Sequence, residues 1–221
     1  MDTEIFEQVD EYIQNLVGAE DEVLKATDKS VSEANIPPIS VSPNQGKFLQ
    51  VLAKSCNAKK ILEIGTLVGY STIWMARALP ENGKLISLEF EPLHARVAKN
   101  NIQKAGLDRI VEIRVGKALD LLPQIEKNQE GPFDMIFIDA DKTPYTEYFQ
   151  WALKLSHPGT LIVADNVIRD GKVMDSHSTD EMVAGARRFN DFLASCTDVT
   201  ATILQTVGSK MHDGMALAVV N

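Results

Sequence analysis

From Lys60 onward the chain repeats one pattern: a short continuous apolar run, a turn, and a longer amphipathic stretch. The apolar runs lie at 61–64, 85–88, 110–115, 135–138 and 161–164, and the amphipathic stretches lie near 72–78, 92–105, 118–127, 145–155 and 181–195. Strands that are apolar along their whole length need cover on both faces, and alternating helices provide it. The pattern therefore predicts a doubly wound α/β sheet of parallel strands.

Both ends of the chain depart from this repeat. Apolar segments at 200–204 and 215–220 are separated by a turn from Gly208 to Gly214 and no helix, which predicts an antiparallel hairpin. The first forty residues carry apolar side chains at helical spacing, followed by a second acidic helix at about 20–32. Ser42 then predicts a helix N-cap, with Gln45 closing a capping box. We expect one domain over 1–221, in which 1–40 is a helical amino-terminal extension.

Composition narrows the functional classes. The 221 residues are 44% apolar and 24% charged, with a formal net charge of −9. So acidic a chain is a poor partner for nucleic-acid phosphates, and no apolar run approaches the ~20 residues that span a bilayer. The amino terminus resembles neither a signal nor a transit peptide, and Cys56 and Cys196 form no CxxC pattern. We expect a cytoplasmic protein that binds neither nucleic acid nor membrane.

A glycine-containing turn, from Gly65 to Gly69, joins the first strand to its helix. Glycine permits a tight turn and a close ligand, although an ordinary turn would also explain both glycines. A dinucleotide fingerprint needs a second glycine where this chain has Leu67, which disfavours NAD. Glu63 lies in the apolar strand end, where a carboxylate is costly without a partner. An acid at this loop favours a nucleoside that carries positive charge.

The ends of the second and third strands supply further candidates for binding a nucleoside. Glu89 ends the second strand, where a carboxylate can accept hydrogen bonds from both hydroxyls of a ribose. Glu91 is the second choice, because we expect it to start the next helix. After the third strand, the small residues from Gly116 to Ala118 leave space for an adenine ring, although a plain turn explains them equally well.

Oxygen-bearing side chains follow the fourth and fifth strands: Asp139 after the fourth, and Asp165 and Asn166 after the fifth. The carboxyl ends of neighbouring parallel strands meet at one edge of a sheet. Oxygen ligands without histidine or cysteine favour Mg²⁺, Mn²⁺ or Ca²⁺ over zinc. Capping of the following helix is the alternative for each residue alone. The three together predict a site for a divalent cation, with Mg²⁺ favoured.

Lys142 follows the first of these acidic turns. A lysine there is ordinarily a solvated charge, but beside a cation in a cleft it could act as a base near neutral pH. A bound metal also acidifies an alcohol or phenol, so the pair would generate an alkoxide or phenoxide nucleophile. The mixed loop at 167–175 is long for its position, and we interpret it as an element that selects the substrate.

Together these motifs resemble the cation-dependent O-methyltransferases, which include the caffeoyl-CoA and catechol O-methyltransferases and their small bacterial relatives. The resemblance rests on EIGTLVGYS at 63–71, Glu89, IDADK at 138–142 and ADN at 164–166, and it covers 39–221. It implies a Rossmann-like class I methyltransferase sheet of seven mostly parallel strands with an antiparallel final hairpin. It also implies S-adenosylmethionine (SAM) as methyl donor, a catechol-like acceptor such as a phenylpropanoid or flavonoid, and a homodimer.

The same resemblance implies roles for individual residues. Asp139, Asp165 and Asn166 would hold the cation, while Lys142, with Asp139 beside it, would take the proton of the acceptor hydroxyl. The residues that would hold the methyl donor are Val41 through its backbone, Glu63, Gly65, Ser71, Glu89, Gly116, Ala118 and Asp139.

Two other functional classes compete with this one. A nicotinamide-dependent oxidoreductase could use a similar sheet, but Leu67 argues against it. A nucleoside-binding or scaffold protein without enzymatic activity would keep the glycine turn, but would have no use for the acids and the lysine after the fourth and fifth strands.

Overall fold

A seven-stranded sheet in the order β3-β2-β1-β4-β5-β7-β6 forms the centre of the chain. The computed structural model describes residues 3–209 and 212–221, and the strands within them are β1 Lys60–Ile64, β2 Lys84–Glu89, β3 Val111–Val115, β4 Phe133–Ile138, β5 Ser156–Ala164, β6 Val199–Thr206 and β7 Asp213–Val220. The first five strands are parallel to one another, whereas β7 runs antiparallel to both β5 and β6. The predicted sheet and its final hairpin are confirmed.

Within these residues the helices are α1 Thr3–Val17, α2 Glu22–Glu33, α3 Pro43–Ser55, α4 Tyr70–Ala76, α5 Pro92–Lys104, α6 Ala118–Lys127, α7 Tyr145–Lys154 and α8 Glu181–Ser195. Each helix predicted from the sequence is present, and its ends lie within about two residues of the prediction. The capping box is also confirmed: Ser42 Oγ accepts from Gln45 N at 3.2 Å, and Gln45 Oε1 accepts from Ser42 N at 2.9 Å.

Two apolar clusters lie on opposite faces of the sheet, because successive side chains of a strand point to opposite sides. On β1, Ile61 joins the cluster on the face that α2 to α5 cover, whereas Leu62 and Ile64 join the other. Phe149 of α7 and Phe189 of α8 complete the second cluster, with ring centroids 5.5 Å apart. This alternation fixes which helix each polar residue of a strand faces.

The amino-terminal helices differ in how they contact this core. Leu24 and Val31 of α2 are buried in the first cluster. On α1, by contrast, Tyr12 and Leu16 are more than half exposed. Asp10 of α1 accepts hydrogen bonds from the neighbouring α3, where Asn44 Nδ2 donates to Asp10 Oδ1 at 2.9 Å.

Candidate active site

The carboxyl ends of β1, β2, β4 and β5 lie along one edge of the sheet, beside the place where the strand order reverses between β1 and β4. Backbone hydrogen bonds continue one step beyond the strands: Asp139 N donates to Ile64 O, and Asp165 N donates to Ile138 O, both at 2.9 Å. The acids predicted after β4 and β5 are therefore neighbours. Open α/β sheets bind their ligands at this position.

The turn after β1 needs glycine for two reasons at Gly65. Its φ of 95° lies in the left-handed region, and a Cβ atom there would collide with the carbonyl oxygen of Asp139. Leu67 also adopts a left-handed conformation, with φ 51°, and Gly69, with φ 88°, is the N-cap of α4. The loops that follow β1 and β4 thus contact each other through main-chain atoms, with no room for a side chain at Gly65.

The Glu89 carboxylate at the end of β2 lies across this turn. Its Oε2 accepts from Thr66 N at 3.2 Å and from Leu67 N at 2.9 Å, and its Oε1 accepts from Glu91 N at 2.9 Å. His94 Nδ1 also lies 3.6 Å from Oε1, which is beyond hydrogen-bond distance. A carboxylate has about four acceptor positions, so one stays open after the three hydrogen bonds. Turn N–H groups of the kind that bind a phosphate in dinucleotide folds are here bound to a carboxylate.

Glu63 lies on the same face of β1 as Ile61 and is fully buried. Its Oε1 accepts from Ser71 Oγ at 2.6 Å, and its Oε2 accepts from Ser87 Oγ at 2.6 Å and Thr72 Oγ1 at 2.5 Å. Burial raises the pKa of Glu63 to about 7, although the hydroxyl donors act in the opposite direction. The partner that this acid needs is therefore a set of hydroxyls from α4 and β2.

The acids after β4 and β5 form a closely spaced pair. The Asp165 side chain is buried, and its Oδ1 accepts from Asn166 N at 2.7 Å. Burial, followed by the negative charge of Asp139, raises the pKa of Asp165 above its usual range. Asn166 is half-buried, with a left-handed φ of 55°. Two carboxylates thus lie close enough for their charges to interact, and Asn166 directly follows one of them. The part of the chain that the structure describes has no group of three His, Cys, Asp or Glu arranged for a metal.

Lys142 lies beside this pair and is almost completely buried. Its Nζ donates to Asp139 Oδ1 at 3.2 Å and also contacts Tyr145 Oη. The Tyr145 hydroxyl lies 2.9 Å from Asp165 O and 3.2 Å from Ile138 O. Because a phenol has one proton and both carbonyls can only accept, this hydroxyl donates to a carbonyl and accepts from Lys142. Two partners therefore fix the position of the amine.

Helix α8 holds the loops that follow β4 and β5. Arg188 Nη2 donates to Thr143 O at 3.1 Å, which holds the β4 loop. Asn190 Nδ2 donates to Val167 O at 2.8 Å, which holds the β5 loop. The same helix therefore fixes the lysine loop and the loop that we interpret as selecting the substrate.

A second support for the β5 loop comes from the start of β7. Asp213 Oδ1 accepts from Ile168 N at 3.0 Å and from Arg169 N at 2.9 Å. Three left-handed residues then follow in a row: Arg169 with φ 54°, Asp170 with φ 58° and Gly171 with φ 74°. Burial is the main influence on Tyr145 and raises its pKa well above its usual range, whereas the positive charge of Arg169 acts to lower it. Arg169 therefore acts electrostatically on the lysine's partner.

The other residues predicted to hold a methyl donor surround the glycine turn or follow β3. Val41 is buried in the same apolar cluster as Val68 of the turn. Gly116 has φ 150°, and its N–H donates to Glu89 O at 2.9 Å. Ala118 is the first residue of α6. These positions stay predictions for donor binding.

Comparison with known protein families identifies this chain. The O-methyltransferase family model matches residues 14–220. The chain belongs to the O-methyltransferase family. A catechol O-methyltransferase from Niastella koreensis is 67% identical to this O-methyltransferase over 220 residues, which is 100% of each chain. A catechol O-methyltransferase from Mycobacterium tuberculosis is 44% identical, over 96% of this chain and 94% of the relative.

Solved structures show the same fold. An O-methyltransferase from Bacillus cereus in complex with SAH superposes with a TM-score of 0.97, at 50% identity, and the match covers 99% of this chain and 100% of that one. The O-methyltransferase TomG from Streptomyces achromogenes, in complex with SAM, also gives 0.97, at 47% identity over 100% and 99% of the chains. The family resemblance and the seven-stranded methyltransferase sheet are confirmed.

Tyr145 and Asp213 are among the residues that shape the site of this O-methyltransferase and that sequence reasoning overlooked. Tyr145 is three residues after Lys142 at the start of a helix, a spacing that predicts contact across one turn. Asp213 is next to Gly214 in the hairpin, and no local signal relates it to a loop 45 residues earlier. Within residues 3–209 and 212–221, no helix is long and apolar enough to cross a membrane.

Proposed function

We propose that this O-methyltransferase transfers the methyl group of SAM to one hydroxyl of a catechol, with a divalent cation and Lys142 assisting. The observation that carries the proposal is the buried amine of Lys142, held between Asp139 and Tyr145 at the ligand-binding edge of the sheet. The relatives called catechol O-methyltransferase in two bacteria support the class of acceptor.

The donor side of the site suits a positively charged nucleoside without phosphate. The Glu89 carboxylate already binds the N–H groups of Thr66 and Leu67, so a phosphate there would meet a negative charge. One acceptor position of Glu89 stays open for a ribose hydroxyl. A sulfonium donor has the opposite charge and meets no such penalty. The same contacts disfavour the alternative, an NAD-dependent oxidoreductase.

The cation would be held by Asp139, Asp165 and Asn166. The donor atoms fit it: carboxylate and amide oxygens are the ligands that Mg²⁺ prefers, and the buried Asp165 lies close enough to Asp139 for their charges to oppose each other. When bound, such a cation would position two adjacent oxygens of the acceptor and make its hydroxyl more acidic. That requirement for adjacent oxygens is why we propose a catechol as acceptor.

Lys142 would take the proton that the acceptor loses. A neutral amine has two N–H bonds and one lone pair, and Asp139 and Tyr145 are partners for the two N–H bonds. The lone pair is then left for the acceptor hydroxyl. In the transfer the sulfur–methyl bond breaks and an oxygen–methyl bond forms, and the hydroxyl proton passes to Lys142. The products are a methyl ether and S-adenosylhomocysteine (SAH).

The proposal is tested by measuring SAH release with catechol and with resorcinol, whose two hydroxyls are not adjacent. Each assay is run on chelator-stripped enzyme with and without added Mg²⁺. Asp139→Asn removes one charge from the proposed cation site, and Asp141→Asn is its matched control, because Asp141 accepts from Tyr148 Oη at 2.8 Å outside the site.

We expect turnover with catechol and not with resorcinol, and only when Mg²⁺ is present. Asp139→Asn should lose this turnover, and its circular dichroism spectrum should match that of the wild type. Full activity without metal would remove the cation from the mechanism. Equal turnover with resorcinol would remove the catechol requirement, and binding of NAD in calorimetry would favour the oxidoreductase. The homodimer and the cytoplasmic location stay predictions.

A further inference from the structure

One arginine in the structure lacks the partner that comparable arginines have. Four of the seven arginines are half-buried: Arg77, Arg114, Arg169 and Arg187. Three of them are bound through their guanidinium groups, to Asp21, to Glu112 and Glu130, and to Val173 O respectively. The Arg169 guanidinium makes no hydrogen bond or ion pair with any residue that the structure describes. A half-buried charge without a partner is costly, which suggests that a ligand supplies the partner.

The backbone at Arg169 is held in place rather than free to turn toward solvent. Asp213 accepts from the N–H groups of Ile168 and Arg169, and Arg169 O accepts from Lys172 N at 3.0 Å. Arg169 and Asp170 are both left-handed, a conformation that non-glycine residues keep only where the surroundings impose it, often at ligand sites. The loop thus fixes where the guanidinium is anchored.

The position of Arg169 assigns it to the acceptor side of the site. The glycine turn proposed for the donor follows β1, and the Arg169 loop follows β5. In the sheet β4 lies between these two strands. The guanidinium also acts electrostatically on the Tyr145 hydroxyl, the partner of Lys142. An acceptor whose hydroxyl meets Lys142 would therefore extend toward this charge.

We propose that Arg169 binds a carboxylate on the acceptor, so that the preferred substrates are catechols that carry a carboxylate group. The inference rests on the proposed function. A guanidinium pairs with a carboxylate through two parallel hydrogen bonds, and one guanidinium matches one negative charge. The preference would act on substrate binding, since Arg169 is not a proton donor or acceptor in the transfer.

The test compares two acceptors of nearly the same shape, of which only the first carries a negative charge: 3,4-dihydroxybenzoate and 3,4-dihydroxybenzamide. KM and kcat are measured for both with the Mg²⁺-loaded enzyme, and the Kd of each is measured by calorimetry in the presence of SAH. The variants are Arg169→Gln, which removes the charge, and Arg169→Lys, which keeps it without the planar fork. Lys172→Gln is the matched control, because it removes an exposed charge from the same loop.

We expect the wild-type enzyme to prefer the acid over the amide by about tenfold or more in KM and Kd, the size of one charged hydrogen bond. Arg169→Gln should abolish that preference in KM and Kd, leaving the Kd of SAH unchanged, and Arg169→Lys should restore part of it. The proposal is overturned if the wild type treats both compounds alike, if Arg169→Gln keeps the preference, or if Lys172→Gln loses it equally. Methylation of neither compound would instead overturn the proposed function.

Discussion

Replacing Glu63 with glutamine should change how the stability of this protein depends on pH. The buried carboxyl has a pKa of about 7 in the folded protein against an ordinary value of 4.5. A raised pKa means that the folded state binds the proton more tightly than the unfolded state does. The resulting stability is fully present below pH 4.5 and is lost as the pH rises to about 7. Above that pH the loss stays constant.

The size of this effect follows from the difference between the two pKa values of Glu63. Each pKa unit corresponds to about 1.4 kcal/mol, so the stability lost between pH 4.5 and about 7 is about 3 kcal/mol. Glutamine has nearly the same shape and does not titrate. The free energy of unfolding of the wild type, minus that of Glu63→Gln, should therefore fall by about 3 kcal/mol across this pH range.

Urea unfolding at a series of pH values between about 4 and about 8 measures this difference directly, because groups that titrate equally in both proteins cancel. Ser87→Ala provides a second check. The Ser87 hydroxyl lowers the pKa of Glu63. Removing this hydroxyl should therefore extend the loss of stability to a higher pH. If the free energy of unfolding of the wild type minus that of Glu63→Gln stays constant with pH, the reasoning is refuted. If it rises with pH, the hydroxyls outweigh burial in setting the pKa of Glu63.

Two further predictions concern the lysine and the glycine turn. Lys142→Met should lower kcat by about 100-fold or more, while calorimetry shows unchanged affinity for SAH; a loss of SAH affinity instead would contradict its role as base. Gly65→Ala should lower both the free energy of unfolding and the SAH affinity. The added Cβ atom would collide with the Asp139 carbonyl, and the backbone at this position has a positive φ. Gly106→Ala is the control, because Gly106 also has a positive φ, of 69°, but a Cβ atom there would have nothing within 4 Å. It should lower the free energy of unfolding only by the backbone strain, about 1 kcal/mol. An equal loss of stability in the two variants would show that the carbonyl contact is unimportant.

The elements of the fold could be predicted where the pattern of side chains repeats. β1 and β4 are buried on both faces and are apolar almost throughout, and both were predicted within two residues of their ends. β5 was predicted only from Leu161, although it begins at Ser156. The missing part contains Pro158 and Gly159, which are typical of turns. A register shift separates its one pair with β4, at Ser156, from the four pairs that begin at Leu161.

The site was predictable in its composition but less so in its contacts. Strand ends at one edge of a sheet placed Asp139, Asp165 and Lys142 together without any knowledge of packing. Glu63 was predicted to need a partner, but the sequence cannot say that three hydroxyls supply it, because Ser87 comes from another strand. The role of Asp213 depends in the same way on a tertiary contact that no local pattern encodes.

The supports of the two loops come late in the chain. The residues with the proposed chemistry are complete by Asn166, whereas Arg188, Asn190 and Asp213, which hold those loops in place, are all translated afterwards. A nascent chain that has not yet released α8 and β7 from the ribosome would thus have every reactive group but not the arrangement that makes them useful. Competence for methyl transfer should therefore arise only after α8 and β7 have been synthesised and have docked.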